Sequence, residues 1–142
     1  RPLEMCGAIG SVQLKKWPAI MKTRTENAQF FVAMFGNKPW CRIQKIIGDS
    51  SWFTFGMVLD GELKGRRAEV VKALDEAGIQ NRPLASRNFL KQPVMRDLDF
   101  IDNKDYTAAD DIHDNGFFVG NGSLAITDQI NRLYEILSKF IK

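Results

Sequence analysis

Two arginines stand directly before prolines, Arg1 before Pro2 and Arg82 before Pro83. The ring of the following proline pushes each toward an extended backbone. A guanidinium held that way presents its planar fork of N–H donors in one direction, which suits a phosphate, a carboxylate or a set of sugar hydroxyls. A surface ion pair explains either arginine as well on spacing alone. The other reactive residue types suggest less. His113, the only histidine, lies between Asp111 and Asp114 with no serine or cysteine motif beside it, and reads as a solvated side chain rather than a general base. Asp110, Asp111 and Asp114 lack the alternating oxygen-ligand loop of a calcium hand and read as a solvated helix face. Gly116-Phe117-Phe118-Val119-Gly120-Asn121-Gly122 has the strand-to-helix setting of a phosphate loop, but its glycine spacing is not that of a dinucleotide fingerprint and no P-loop lysine follows; a turn needing glycine angles explains it too. Cys6 and Cys41 make neither a disulfide framework nor a zinc site and read as buried thiols in a reducing, cytoplasmic compartment.

The elements that must position these residues follow from periodicity. From Met5 to Phe35 apolar residues recur every three or four positions, which predicts an amphipathic helix. Pro18 should kink it or divide it in two, and Gly36-Asn37 should stop it. Cys41 to Ile47 and Trp52 to Leu59 read as strands joined by a turn, with Phe53, Phe55, Met57 and Leu59 on a covered face. Lys64 to Ala77 is a helix ended by Gly78, and Ile79 to Leu84, with its proline, is an edge segment or loop. A short helix is expected near Pro93, and another over Thr107 to Asp114 with Thr107 as its cap and Asp110 as the box acid. A buried strand follows at Gly116 to Gly120, then a helix from Thr127 to Ile141. The alternation is too irregular for a doubly wound sheet. The expected class is α/β of the α+β kind: a small, mostly antiparallel sheet with helices packed on one face.

A length of 142 residues fits one domain, and 44% hydrophobic residues with 11% aromatics can build a core. No apolar run is long enough for a membrane span, and the first residues lack the layout of a secretion signal. The net charge of +3 is unevenly spread, with eight basic and three acidic residues among the first 50. No aromatic-basic motif or helix-turn-helix pattern accompanies that bias, so no nucleic-acid partner is expected. On residues alone the chain is an α/β domain without catalytic machinery of its own.

Four segments give it a kinship. Arg1-Pro2-Leu3-Glu4-Met5-Cys6-Gly7-Ala8-Ile9-Gly10 followed by Gln13-Leu14, Gly78-Ile79-Gln80-Asn81-Arg82-Pro83, Asn88-Phe89-Leu90-Lys91, and Gly116 to Asn121 together resemble the C-terminal part of the DegT/DnrJ/StrS family. Its members are enzymes that use pyridoxal or pyridoxamine phosphate on nucleotide-linked keto sugars. The nearest branch removes the 3-hydroxyl of 4-keto-6-deoxy sugars in lipopolysaccharide biosynthesis.

The resemblance implies that residues 1–142 form a single C-terminal small domain of a longer fold-type I enzyme. The missing N-terminal domain would hold the cofactor and the active-site lysine, or in dehydratases a histidine, and no cofactor is expected on this part alone. Arg1 and Glu4 match the family's N-x-R-x-x-E motif, whose asparagine lies before Arg1. Arg1, Gln80 and Arg82 fall on positions lining the sugar-nucleotide site, although Gln80 stands where dehydratases resemble one another in having an acid. The implied reaction is loss of the C3 hydroxyl with the cofactor as electron sink. This portion would supply part of the sugar pocket and part of a homodimer interface. A sugar aminotransferase is the alternative within the family. A stand-alone binding module is the alternative outside it, and should have a complete surface, whereas a severed domain should expose a contiguous apolar patch and self-associate.

Overall fold

Apolar residues at helical spacing carry the first helix, α1 (Glu4–Phe35), through 32 residues with Pro18 inside it. The expected division into two helices at Pro18 does not occur. A proline removes one backbone hydrogen bond and crowds the preceding turn, but residues 3–19 are all exposed, so water can reach the freed carbonyl and no packed neighbour demands a break. The computed structural model describes residues 3–101 and 105–142.

Four strands follow, β1 (Cys41–Ile43), β2 (Thr54–Leu59), β3 (Asn81–Pro83) and β4 (Gly116–Gly120), in the spatial order β1-β2-β4-β3 with every pair antiparallel. Three more helices complete the fold: α2 (Arg67–Glu76), α3 (Thr107–Asn115) and α4 (Thr127–Ser138). Short 3-10 turns at Gly61–Leu63, Phe89–Lys91 and Pro93–Asp97 account for the irregular stretches. The first strand is shorter than the expected Cys41 to Ile47. The predicted helix from Lys64 begins at Arg67, where Gly65, at φ +79, has completed the entry turn.

The register explains the core. Phe55 lies opposite Val119 and Met57 opposite Phe117, so strand alternation sends all four to one side. There they join Phe31 and Phe35 of α1, Val70 and Leu74 of α2, and Leu133 and Leu137 of α4 in one buried cluster. Phe31 stacks on Phe55 with ring centroids 4.3 Å apart and planes 5° from parallel. Each such side chain taken out of water contributes roughly 1.5–3 kcal/mol, which is why this face holds three helices. Phe53 was expected on it but is 75% exposed, while Trp52 is buried in its place. Trp52 adopts φ +47, and this left-handed step turns the chain before β2 begins, so alternation does not extend back through it.

The opposite face carries Gly56, Val58, Gly116, Phe118, Arg42 and Arg82 by the same register. Helix α3 packs there, tied to the sheet where Asp111 pairs with Arg42. The cap of α3 is not the one expected. Thr107 is its first helical residue, and the Asp105 carboxylate accepts from the Thr107 amide at 3.3 Å and hydroxyl at 3.0 Å.

Candidate functional site

Arg82 lies at the middle of β3, the edge strand, opposite Phe118 and therefore on the face away from the three core helices. It is exposed and makes no ion pair or side-chain hydrogen bond among the described residues. The neighbouring Pro83 cannot donate to a sheet, which suits an edge. Gln80, two residues earlier, is also exposed and lines a pocket of about 340 Å3 with Gly78, Ile79, Val119, Gly120 and Leu133. Arg82 is not part of that lining, so the two residues share a strand edge rather than one enclosed cavity. Gly78 makes this approach possible: it ends α2 at φ +74 and lets the chain turn straight into β3. Arg1, the third expected sugar contact, lies outside the described residues.

The loop that leaves β3 is held hard. Leu84 lies across the sheet, with Cδ1 only 2.8 Å from where a Cβ on residue 116 would sit and Cδ2 3.2 Å from the corresponding point at residue 56. Two glycines on adjacent strands therefore make the trough in which the loop rests. Ala85 and Arg87 both take left-handed backbone angles, φ +43 and +58, which non-glycine residues adopt only when their surroundings insist. The insistence comes from the next turn. Asn88 accepts from the Leu90 amide at 3.0 Å and donates to Asp110 Oδ1 at 2.8 Å, and Lys91 Nζ reaches the same oxygen at 2.7 Å. Gln92 donates to the Ser86 carbonyl at 3.1 Å. The Asn88 to Lys91 motif is thus a clasp fastening the arginine-bearing loop to α3.

Electrostatics follow these contacts. The hydrogen bond from Lys91, then that from Asn88, hold the Asp110 carboxyl below the usual carboxylate range, and the same bond holds the Lys91 ammonium above its ordinary value. Burial pushes Asp111 up, but hydrogen bonds from Arg42 and Asn115 outweigh it and leave the carboxyl depressed. The acidic cluster is therefore engaged in ion pairs rather than a plain solvated face, and the described residues contain no group of three or more metal-ligating side chains. His113 is not simply solvated either, since its Nδ1 is buried without a hydrogen-bond partner among the described residues. Cys6 is exposed, contrary to expectation, because its half of α1 is uncovered. Cys41 is buried, and burial pushes its thiol up to about 12.

The glycine-rich loop after β4 serves the fold. Asn121 donates to the Trp52 carbonyl at 2.8 Å and the Arg24 carbonyl at 3.1 Å, and accepts from Asn27 at 3.1 Å. Its own carbonyl takes two bonds from Arg24. These polar groups fasten α1 to the sheet, so a phosphate role for this loop has no support in the geometry. No lysine lines the cleft beside Gln80, and its walls are mostly apolar. A further residue of the loop after β3, Arg87, escaped sequence reasoning. A left-handed arginine leaves no mark in composition or periodicity.

Comparison with known proteins places this geometry. The profile of the DegT/DnrJ/EryC1/StrS aminotransferase family matches residues 2–138. The chain is 44% identical over 140 residues to the GDP-4-keto-6-deoxy-D-mannose 3-dehydratase of Yersinia pseudotuberculosis, covering 98% of this chain and 36% of the relative. It superposes on the Escherichia coli GDP-4-keto-6-deoxy-D-mannose-3-dehydratase solved with bound hydrated PLP at a TM-score of 0.88 and 38% identity, over 96% of this chain and 36% of that one. An aminotransferase of Helicobacter pylori involved in pseudoaminic acid biosynthesis shares the fold at a TM-score of 0.77 with 16% identity, over 94% of this chain and 36% of that one. The chain spans about a third of the length of the relatives it matches, and corresponds to their C-terminal part.

Proposed function

The chain belongs to the DegT/DnrJ/EryC1/StrS aminotransferase family, and from that premise we propose that it is the C-terminal small domain of a nucleotide-sugar 3-dehydratase acting on a 4-keto-6-deoxyhexose. The observation that carries the reading is the 44% identity to a 3-dehydratase sustained over 98% of the chain. Pyridoxal or pyridoxamine phosphate would act as electron sink on a preceding domain. This chain's own part is binding and orientation. Arg82, fixed by Pro83 and without an ion pair or side-chain hydrogen bond among the described residues, would grip sugar hydroxyls or phosphate oxygens. Gln80 would add an amide that can both donate and accept, without the charge of an acid. Arg1 is assigned to the same sugar site on the family motif.

The preceding domain has a surface waiting for it. Leu3, just before α1, and Met5, Ile9, Val12, Leu14 and Trp17 on its first half are all exposed, with Leu14 at 71%. Apolar residues ring most of that helix's circumference, a pattern that elsewhere marks a covered helix. We assign its cover to the cofactor domain and to a second subunit of a homodimer. A stand-alone module would have no use for such a surface. Transamination at the sugar C4 remains the second reading, favoured by the aminotransferase fold neighbours and the family profile.

The test begins with the coding sequence upstream of Arg1. The reading requires a cofactor domain there, with histidine at the Schiff-base position for dehydration or lysine for amination. The full-length protein, given GDP-4-keto-6-deoxymannose and the cofactor, should then yield a 3-deoxy product by mass spectrometry. A 4-amino product would establish the second reading, and an unrelated upstream domain would end both.

A further inference from the structure

The loop that leaves β3 closes on itself into a cup of about 560 Å3, lined among the described residues by side chains and backbone of residues 83–94 alone. Pro83, Phe89, Pro93 and Val94 are its apolar walls, and Arg87 is its one charged residue. Phe89 and Val94 are 50% and 45% exposed and belong to no part of the buried cluster. Arg87 is partly buried, yet makes no ion pair or side-chain hydrogen bond among the described residues. The cup is nevertheless held in one shape. Asn88 and Lys91 both bond Asp110 Oδ1, so Phe89 stands between two anchored points of one turn. Gln92 donates to the Ser86 carbonyl at 3.1 Å and the Arg87 amide to the Leu84 carbonyl at 2.9 Å, which closes the loop across its base. Leu84 rests on Gly56 and Gly116, on the sheet face that also carries Arg82, and Pro83 in the cup wall follows Arg82 directly.

Two residues of this one cavity, Ala85 and Arg87, have left-handed backbones, at φ +43 and +58. Such angles cost energy in residues with a Cβ and cluster where a binding surface must keep its shape. Core packing does not demand them here, since neither Ala85 nor Phe89 nor Val94 packs in the buried cluster. The cup's size and its apolar walls around one charge are those of a small-ligand site. An exposed ring on a fixed turn offers a stacking face to a planar heteroaromatic group. A guanidinium with no partner offers its fork of donors to a phosphate, and no acidic residue lines the cup to compete for it. We propose that this cup binds an anionic nucleotide, its base against Phe89 and a phosphate on Arg87. The site is read from this chain's own residues; that its nucleotide is the one carried by the sugar substrate rests on the dehydratase reading.

The 142-residue chain is titrated by calorimetry with GDP, guanosine and inorganic pyrophosphate. GDP should bind saturably and at least tenfold more tightly than either of its parts, because ring and charge are held together. Phe89→Leu keeps an apolar side chain but removes the ring, so it should raise the Kd of GDP at least fivefold and leave that of pyrophosphate unchanged. Arg87→Gly should weaken both at least tenfold while the melting temperature holds or rises, because glycine accepts the left-handed backbone. Arg132→Gln, on α4 across the sheet, should change neither. No saturable GDP binding, pyrophosphate bound as tightly as GDP, or wild-type affinity in either cup variant overturns the proposal. In the full-length enzyme Arg87→Gly separates the sources of the nucleotide. A raised KM for GDP-4-keto-6-deoxymannose with kcat kept assigns the substrate's own nucleotide, an unchanged KM assigns a free one, and both leave the site standing. A full-length protein that does not turn this sugar over would end the first assignment and leave the calorimetric result as it is.

Discussion

Leu84 lies on Gly116 so closely that no side chain fits between them: its Cδ1 is 2.8 Å from the point a Cβ would occupy, and the Ile112 carbonyl is 2.5 Å from the same point. The glycine is required by this approach rather than by its backbone, which sits at φ −89 and would suit any residue. Because Leu84 is the step between Arg82 and the strained loop at Ala85, its seat governs how the arginine edge is presented.

Gly116→Ala should therefore destabilise the chain by about 1–3 kcal/mol, the usual range for overpacking a filled site. Urea unfolding would show this as a lower midpoint with an unchanged slope. An alanine variant as stable as the parent would mean that Leu84 and Ile112 can move aside freely, and that the trough is not a constraint on the loop.

Acid should loosen the same region. The Asp110 carboxyl is held below its ordinary value by Lys91 and Asn88, so its bonds stabilise the fold fully above the unfolded carboxylate pKa, near 4. That contribution is lost as pH falls through the depressed folded value. Lys91, raised by the same bond, loses its share only as pH climbs past the ordinary lysine range. Asp110→Asn should flatten the acid limb of stability against pH and lower neutral stability by the same amount, a small one because both groups are at the surface. An acid limb identical in the variant would show that the clasp carries no linkage.

How far the sequence foretold this arrangement depends on which force decided each part. Hydrophobic periodicity set the helices and the covered face of β2, and periodicity is visible in a single chain: Phe55, Met57 and Leu59 were placed correctly. Phe53 was not, because one left-handed residue at Trp52 reversed the alternation, and nothing in a tryptophan announces that angle. Of the two outcomes expected at Pro18, division into two helices does not occur, in surroundings that are open to water. Arg82 was legible through its proline. The left-handed backbone of Arg87 was not, since it depends on the clasp that Asn88 and Lys91 make with Asp110 across the tertiary fold.

The two thiols should separate cleanly under alkylation. Cys41 is buried with its pKa pushed up to about 12, so at neutral pH almost none of it is the reactive thiolate, while Cys6 stands exposed on α1. Iodoacetamide on the native chain should add one label, at Cys6, and a second only after unfolding. Two labels at equal rates without denaturant would show that the sheet edge at β1 opens readily.

The uncovered half of α1 should make the isolated polypeptide self-associate. Ile9 and Trp17 are exposed and belong to no part of the buried cluster, so charging them costs the core nothing. Ile9→Glu with Trp17→Lys should reduce the apparent mass in analytical ultracentrifugation toward the monomer while the melting temperature holds. A wild-type chain monomeric at high concentration would argue against this face as an interface and weaken the case for a covering domain.

Arg82 supplies the sharpest test of the sugar-site assignment, because its structural role is negligible. It is exposed, makes no ion pair or side-chain hydrogen bond among the described residues, and sits on an edge strand whose other residues keep their pairing without its side chain. Arg82→Ala should leave folding stability unchanged within about 0.5 kcal/mol, as expected of a surface position away from special features. Charge-assisted hydrogen bonds contribute about 1.5–3 kcal/mol each, so in the full-length enzyme the same change should lower kcat/KM by roughly 10- to 100-fold. Lysine keeps the charge but loses the planar fork, so Arg82→Lys should recover only part of this if the ligand is gripped bidentately. The combination separates binding from architecture: a stable variant with crippled turnover supports the assignment, whereas a stable variant with full kcat/KM removes Arg82 from the site.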